Sequence, residues 1–417
     1  MPNTPHPHWR RTVQALAITQ VLILIGFNFS YPFLPLFIQE LGVTDRGELA
    51  LWSGLAIGIG GITMAAVSPV WGLLADRLGR KAMLVRSVAA GSVILALQAA
   101  VSNVWQLVAV RTLQGAFTGT QTAGSMLIAG IVPKERTGFA LGLLNTAIQV
   151  GNLIGPVLGG LVVLAVGLRG SFLVGAVVLA ACTIITIVTV EDLPVVRRPV
   201  ESGFRATARD VVAPFRWAGL RGVLVVGPAV QIVYSATVAL LAIYVQDLSR
   251  PSWLTPELAI GLALALGALA AAIAMPIAGS YADRHDARVV LVGALALFAI
   301  SLVPQALVPN ALVFLVFRLL SGVGMAGITS ATAVLTRAGA PVGGEGRAFG
   351  ALASAQNLGW GVGPILGSAF AAVAGIPALY LAGAAVTLVL LYPATMPRMW
   401  LAPREGGLEP TLVEFTR

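Results

Sequence analysis

The chain has 417 residues, 57% of them hydrophobic and only 10% charged, with a formal net charge of +9. Soluble globular domains carry about 25% charged residues, so there is too little polar surface here to face water on every side. That excludes a soluble protein, and with it a basic domain for RNA or DNA.

Apolar runs long enough to cross a hydrocarbon core of about 30 Å recur from end to end. They predict twelve spans, at roughly 13–40, 48–74, 82–102, 104–131, 138–165, 170–190, 220–247, 257–281, 287–307, 310–336, 346–373 and 376–396. Arg10 and Arg11 precede a first run too long for the core of a signal peptide, so it is expected to stay as an anchor. Alternate loops then hold most of the basic residues, among them Arg77, Arg80, Lys81, Lys134, Arg136, Arg284, Arg288, Arg337 and Arg347. The opposite loops hold only Arg46, Arg169 and Arg250, which puts both termini in the cytoplasm. The positive charge is therefore a topology signal. A single cysteine, Cys182, excludes an intrachain disulfide.

Span 1 carries Gln20 and Asn28 and ends at Glu40. After span 2 comes "GLLADRLGRK" (72–81). Here Gly72 allows close helix contact, Gly79 supplies a tight turn, and Arg77, Arg80 and Lys81 stay in water. Asp76 can meet the positive N-terminus of a neighbouring helix. Span 4 bears a polar stripe of Arg111, Gln114, Thr118, Gln121 and Ser125. A charge at the centre of a membrane helix costs about 2.5–3.5 kcal/mol, so Arg111 must be paired or face water. Two roles stay open for it: a functional one, or hydrogen bonding to carbonyls.

In span 5, "GNLIGPVLGG" (151–160) places Gly151, Gly155 and Gly159 on one face, where a neighbouring backbone can approach closely. Gly160 follows, and Pro156 permits a bend. This face is either a static crossing or a contact that slides. Asn145, Gln149 and Asn152 form a second face about 90° away. With Gln20 and Asn28 of span 1, Gln114 and Gln121 of the span-4 stripe, Gln231, Tyr234 and Ser235 of span 7 and Gln356, Asn357 and Trp360 of span 11, they form a candidate substrate set. Any one amide can instead bond helix to helix; as a set converging from both halves they predict a partly wet cavity.

The chain also repeats itself. At an offset of 207, "LFIQEL" (36–41) matches "IYVQDL" (243–248), "GLLADRLGRK" matches "GSYADRHDAR" (279–288), and "AVRTLQG" (109–115) matches "VFRLLSG" (316–322). At an offset of 208, "GNLIGPVLGG" matches "GWGVGPILGS" (359–368). Internal repeats in a hydrophobic chain point to a transporter with its substrate near the midplane. The expected organisation is an N-terminal six-helix bundle (1–190), a cytoplasmic linker (191–219), a C-terminal six-helix bundle (220–396) and a cytoplasmic tail (397–417).

These motifs resemble the major facilitator superfamily, and within it the drug:proton antiporter branch with twelve spans, over residues 13–396. The resemblance implies an all-α membrane protein of two pseudo-symmetric six-helix bundles in a bacterial inner membrane. It implies export of amphiphilic compounds in exchange for protons. It also assigns Asp76 a latch at span 11 near Arg347, Arg111 a part in proton transfer, and Gly151–Gly160 the antiporter motif. The partners implied are the bilayer, a small amphiphile and protons, with the chain acting as a monomer. Arg318 and Asp283 are the second copies of Arg111 and Asp76, with His285 and Asp286 replacing the "LG" step and weakening the second latch.

One departure matters. Many members of that branch have a carboxylate inside span 1 or span 4, and these spans have none at mid-depth. Glu40 and Asp247 sit at the extracellular ends, so Asp76 with Arg111 leads as the coupling pair and Glu40 is the reserve. An arginine without an acid favours neutral, zwitterionic or anionic substrates over lipophilic cations. No cofactor, metal or ATP is expected, since there is no Walker segment, "HExxH" or nucleophile elbow, and His6, His8 and His285 are scattered. The alternatives are an exporter or importer of one metabolite or siderophore, and a membrane sensor that binds without translocating.

Overall fold

A computed structural model describes residues 9–133, 136–190, 213–341, 344–396, 401–402 and 411–412. His6 and His8, most of the expected linker and most of the tail lie outside them. Of Gly72, Asp76, Arg77, Arg80 and Gln121 only the helical backbone is described.

Among the described residues the fold is helical, apart from a two-residue pairing of Leu401–Ala402 with Thr411–Leu412. Ten helices among the described residues are long and apolar enough to cross a membrane. One of them, within Thr137–Thr189, is long enough for two crossings and turns at Gly167, with φ 74° and ψ 177°. Two shorter helices, Val104–Phe117 and Thr120–Ile131, together make span 4. That accounts for twelve crossings.

The remaining spans are Trp9–Asn28 continued by Leu34–Glu40 (span 1), Arg46–Leu78 (2), Arg80–Ala100 (3), Arg221–Ala239 continued by Leu241–Asp247 (7), Pro256–Arg284 (8), Ala287–Leu307 (9), Ala311–Gly339 (10), Glu345–Ala374 (11) and Ile376–Val389 continued by Leu391–Thr395 (12). The chain divides into two compact units. One is Met1–Pro199 with Ser252–Ala265, and the other is Val200–Pro251 with Leu266–Arg417.

Span 4 was expected to be continuous and is broken at its middle. Gly119 has φ 138°, a conformation that side-chain-bearing residues avoid. The Thr118 hydroxyl donates to the Gln114 carbonyl at 2.6 Å and helps satisfy a carbonyl at the end of the first half-helix. Pro156 does the opposite of what a breaker suggests: the helix runs through it, and the only non-helical backbone within Thr137–Thr189 is at Gly167. Pro156 lacks an N–H, yet its neighbours hold the chain in register.

Large apolar side chains such as Val93, Val177, Ile184, Ile277 and Val289 are exposed, as a lipid-facing surface requires. Inside, glycines replace bulk, because without a hydrophobic force between helices close van der Waals contact must supply the attraction. A side chain at Gly115 would collide with the Gly60 backbone, where spans 2 and 4 cross. In the other unit a side chain at Gly322 would collide with Gly267 in the same way, 207 residues further on. Substituting Gly115 with Val should destabilise the protein by about 1–3 kcal/mol, the cost of overpacking a close contact. Gly142, with nothing within 4 Å of an added methyl, should accept Ala with a change of about 0.5 kcal/mol or less. Thermal unfolding in detergent measures both.

Candidate functional site: a buried arginine and a glycine–proline helix

The crossing at Gly60 and Gly115 sets the position of Arg111, one turn away on span 4. Its side chain is 5% exposed. Its Nε donates to the Ala56 carbonyl of span 2 at 2.9 Å, and its Nη1 donates to Gln114 Oε1. Gln98 of span 3 donates to the same oxygen at 2.9 Å. The guanidinium carbon lies 5.0 Å from the centre of the Tyr31 ring, adding a cation–π contact. A charge in a low-dielectric interior needs this kind of multiple pairing.

Gln98, Tyr31 and the Ala56 carbonyl escaped the sequence reading. For Gln98 a signal was present: Gln305 stands 207 residues later, at the matching place in span 9.

The glycine face of span 5 packs against span 1. A side chain at Gly155 would lie 2.6 Å from Asn28 Cβ, and one at Gly159 2.6 Å from the Asn28 carbonyl oxygen. Span 11 meets span 7 in the same register, with Gly363 against Ser235 and Gly367 against Ala236. The motif has a second contact within the first unit. A side chain at Gly160 would lie 2.9 Å from the Glu257 carbonyl oxygen, and one at Gly261 2.6 Å from that of Pro156. Span 5 therefore touches the start of span 8 through backbone on both sides, which accounts for Ser252–Ala265 grouping with the first unit.

The polar residues separate into two sets. Asn28 Nδ2 donates to Asn152 Oδ1 at 3.2 Å and to the Leu24 carbonyl at 2.9 Å, so this pair joins helix to helix. Gln20 donates to Thr120 Oγ1 at 3.4 Å. Gln231 is buried beside Gly359. Gln149, Tyr234, Gln356 and Trp360 are half-buried, and Asn145 and Asn357 are exposed. Tyr234 and Trp360 meet edge to face with centroids 5.9 Å apart. Glu40 and Asp247 are exposed at the ends of their helices.

At the loop motif, Gly79 turns the chain with φ 94°. Lys81, expected in water, donates to the Ile187 carbonyl at 2.9 Å and caps the end of span 6. In the second copy the position of Gly79 is taken by Asp286, which caps span 9 by accepting from the Arg288 N–H at 2.9 Å. The Arg288 guanidinium also grips this carboxylate, with Nη2 2.8 Å from Oδ2. Burial pushes the Asp286 carboxyl up, but its hydrogen bonds to Arg288 and that residue's charge outweigh burial and hold it below the usual carboxylate range.

A model described as "Major Facilitator Superfamily" matches residues 16–256 and 232–414. The chain belongs to that superfamily and is an integral membrane protein. It is similar to the multidrug resistance protein MdtG of Enterobacter lignolyticus (strain SCF1), at 31% identity over 91% of this chain and 90% of that one. It is also similar to MdtG of Serratia proteamaculans (strain 568), at 33% identity over 91% and 92%. Among solved structures, a bacterial homologue of the human lysosomal transporter Spinster, inward-facing and occupied, shares the fold with a TM-score of 0.75 at 14% identity, over 93% of this chain and 96% of that one.

Replacing Gln114 by Leu strands donors of Arg111 and Gln98 together, and should cost about 1–3 kcal/mol for each buried group left unpaired. A double-mutant cycle with Gln98→Leu should show coupling in thermal stability. Asp286→Ala should cost about 1 kcal/mol through loss of the cap. Because the folded carboxyl is held low, its contribution is present above an unfolded pKa of about 3.9 and is lost as pH falls through the folded value. The wild type should lose this contribution on acidification, and Asp286→Asn should flatten that part of a stability-versus-pH curve.

Proposed function

We propose that the protein is a secondary transporter of the bacterial inner membrane, with both termini in the cytoplasm, that exports amphiphilic compounds in exchange for protons by alternating access. The observation that carries the reading is the glycine–proline helix, whose side-chain-free contacts bind span 5 to span 1 on one face and to the start of span 8 on another. Backbone contacts without interlocking side chains can shift in register at low steric cost. The similarity along more than nine-tenths of the chain to proteins named for multidrug resistance supports export of drugs in particular.

Arg111 is the proposed coupling element. Its own proton is too tightly held to leave near neutral pH, so it acts through what it binds. In this conformation its partners are neutral, Gln114, the Ala56 carbonyl and the Tyr31 ring. A carboxylate that approached it would lose its proton in exchange for those neutral partners. Asp76 is the proposed carboxylate of the cytoplasmic latch, and Glu40 the reserve. The polar residues Asn145, Gln149, Gln356 and Asn357 with Tyr234 and Trp360 are proposed to meet substrate, since none of them is fully buried.

Purified protein in proteoliposomes with an imposed proton gradient tests the reading. Substrate accumulation should require the gradient, and collapse with Arg111→Ala and Asp76→Asn by at least about tenfold. Binding without flux would identify a sensor instead. Uptake in the direction of proton flow would identify an importer.

A further inference from the structure

The two pseudo-symmetric arginines are equivalent in place and opposite in state. Arg318 lies on span 10 where Arg111 lies on span 4, with Gly267 and Gly322 crossing one turn away as Gly60 and Gly115 do. It is more deeply buried than Arg111, at 1% exposed against 5%. Yet among the described residues its Nε and Nη1 have no hydrogen-bond partner. One substitution accounts for the open Nη1, while Nε, which in Arg111 meets the Ala56 carbonyl, is open as well. Gln114, whose amide oxygen takes both Arg111 and Gln98, is replaced 207 residues later by Ser321. The Ser321 hydroxyl is too short to reach the head group and turns back to the Arg318 carbonyl at 2.8 Å.

Two more polar atoms in the second unit are left open with it. Gln305, the counterpart of Gln98, spends its amide nitrogen on the Ser301 carbonyl at 2.9 Å and the Phe317 carbonyl at 3.4 Å, and its Oε1 has no partner among the described residues. The Tyr380 hydroxyl, on a fully buried side chain, is likewise unpartnered, and its ring meets Phe314, one turn before Arg318 on span 10, with centroids 6.1 Å apart. Leaving buried donors unpaired costs about 1–3 kcal/mol each, more for charged groups.

The way in is aromatic. The Arg318 guanidinium lies 5.4 Å from the centre of the Tyr234 ring, and Tyr234 meets Trp360 edge to face. Both rings are half-buried, so they connect the enclosed charge to accessible surface.

We propose that Arg318 is the anchor of an anion-binding site. It takes a single carboxylate or sulfonate on its Nε and Nη1, with the Tyr380 hydroxyl as a further donor and the Tyr234–Trp360 pair against the apolar body that carries the charge. This deepens the export reading by naming its substrate class, and it rests on that reading for its role in transport.

The test is equilibrium binding to the full chain in lipid nanodiscs, with 1-naphthoate and its neutral analogue 1-naphthalenemethanol as probes, in gluconate or chloride buffer. Wild type should bind naphthoate at least about tenfold more tightly, the worth of a charge-assisted pair. Arg318→Gln should erase that preference. Ser321→Gln should erase it too, by giving Arg318 the internal partner that Arg111 has, while keeping or raising thermal stability. Lack of competition by chloride would support an anionic group carried by an amphiphile, and full competition would assign the site to a free inorganic anion and overturn the substrate class. Equal affinity for the two probes in wild type would overturn the proposal by itself, whether or not the variants fold. An unchanged preference in folded Ser321→Gln protein would do the same. If anion preference is kept while proton-coupled flux is absent, the export reading fails and the site stands.

Discussion

Two helix backbones in contact at Gly60 and Gly115 govern the rest of the first unit. Lipid tails are as apolar as leucine, so helices in a bilayer gain nothing by hiding apolar side chains from them. What remains is contact at short range, and glycine permits the shortest. Once these backbones touch, Ala56 and Arg111 face each other one turn away, and the carbonyl on one side meets the guanidinium on the other. A tight crossing thus does two jobs. It supplies attraction between helices, and it fixes the depth and direction of the single charge that span 4 carries into the membrane.

The same device serves both halves, and the halves differ only in what surrounds it. Glycine pairs recur at matching positions: Gly60 and Gly115 with Gly267 and Gly322, and Gly151, Gly155 and Gly159 with Gly359, Gly363 and Gly367. Polar neighbours do not recur so strictly. Asn28 becomes Ser235, Gln114 becomes Ser321, and the Gly79 turn becomes the Asp286 cap. Backbone contacts tolerate almost no substitution, because any side chain there would displace a whole helix. Side-chain networks tolerate exchange, so the two copies could diverge in chemistry while retaining one architecture.

That divergence separates Arg111 from Arg318. One is closed on itself through an amide shared with Gln98, and the other keeps buried donors unoccupied. A charge satisfied by its own protein is suited to holding a conformation or passing on a change in it. A charge left unsatisfied at the same depth is suited to receiving something from outside. Asn28 and Asn152 illustrate the intermediate case, polar groups inside the membrane that serve to tie two helices together.

Much of this was readable along the chain. Length and apolarity set the spans, because a hydrocarbon core admits only helices with internally paired backbones. The glycine spacing announced close crossings, and the offset of 207 announced the repeat. The turn at Gly167 falls in the gap expected between spans 5 and 6, but the break at Gly119 was not readable, since a glycine in a membrane helix can either turn the chain or admit a neighbour, and hydropathy is the same for both. Nor was the pairing of Arg111 beyond its own helix, because those partners come from spans 1 and 2, and one of them is a main-chain carbonyl that no residue type reveals. By itself the sequence determined that the chain spans a membrane, how many times, and that it does so as two related halves, since these follow from local composition and period. Which buried charge is satisfied and which is open was decided only by tertiary structure, because hydrogen bonding depends on reach between helices far apart in sequence, as the bond from Arg111 to the Ala56 carbonyl shows.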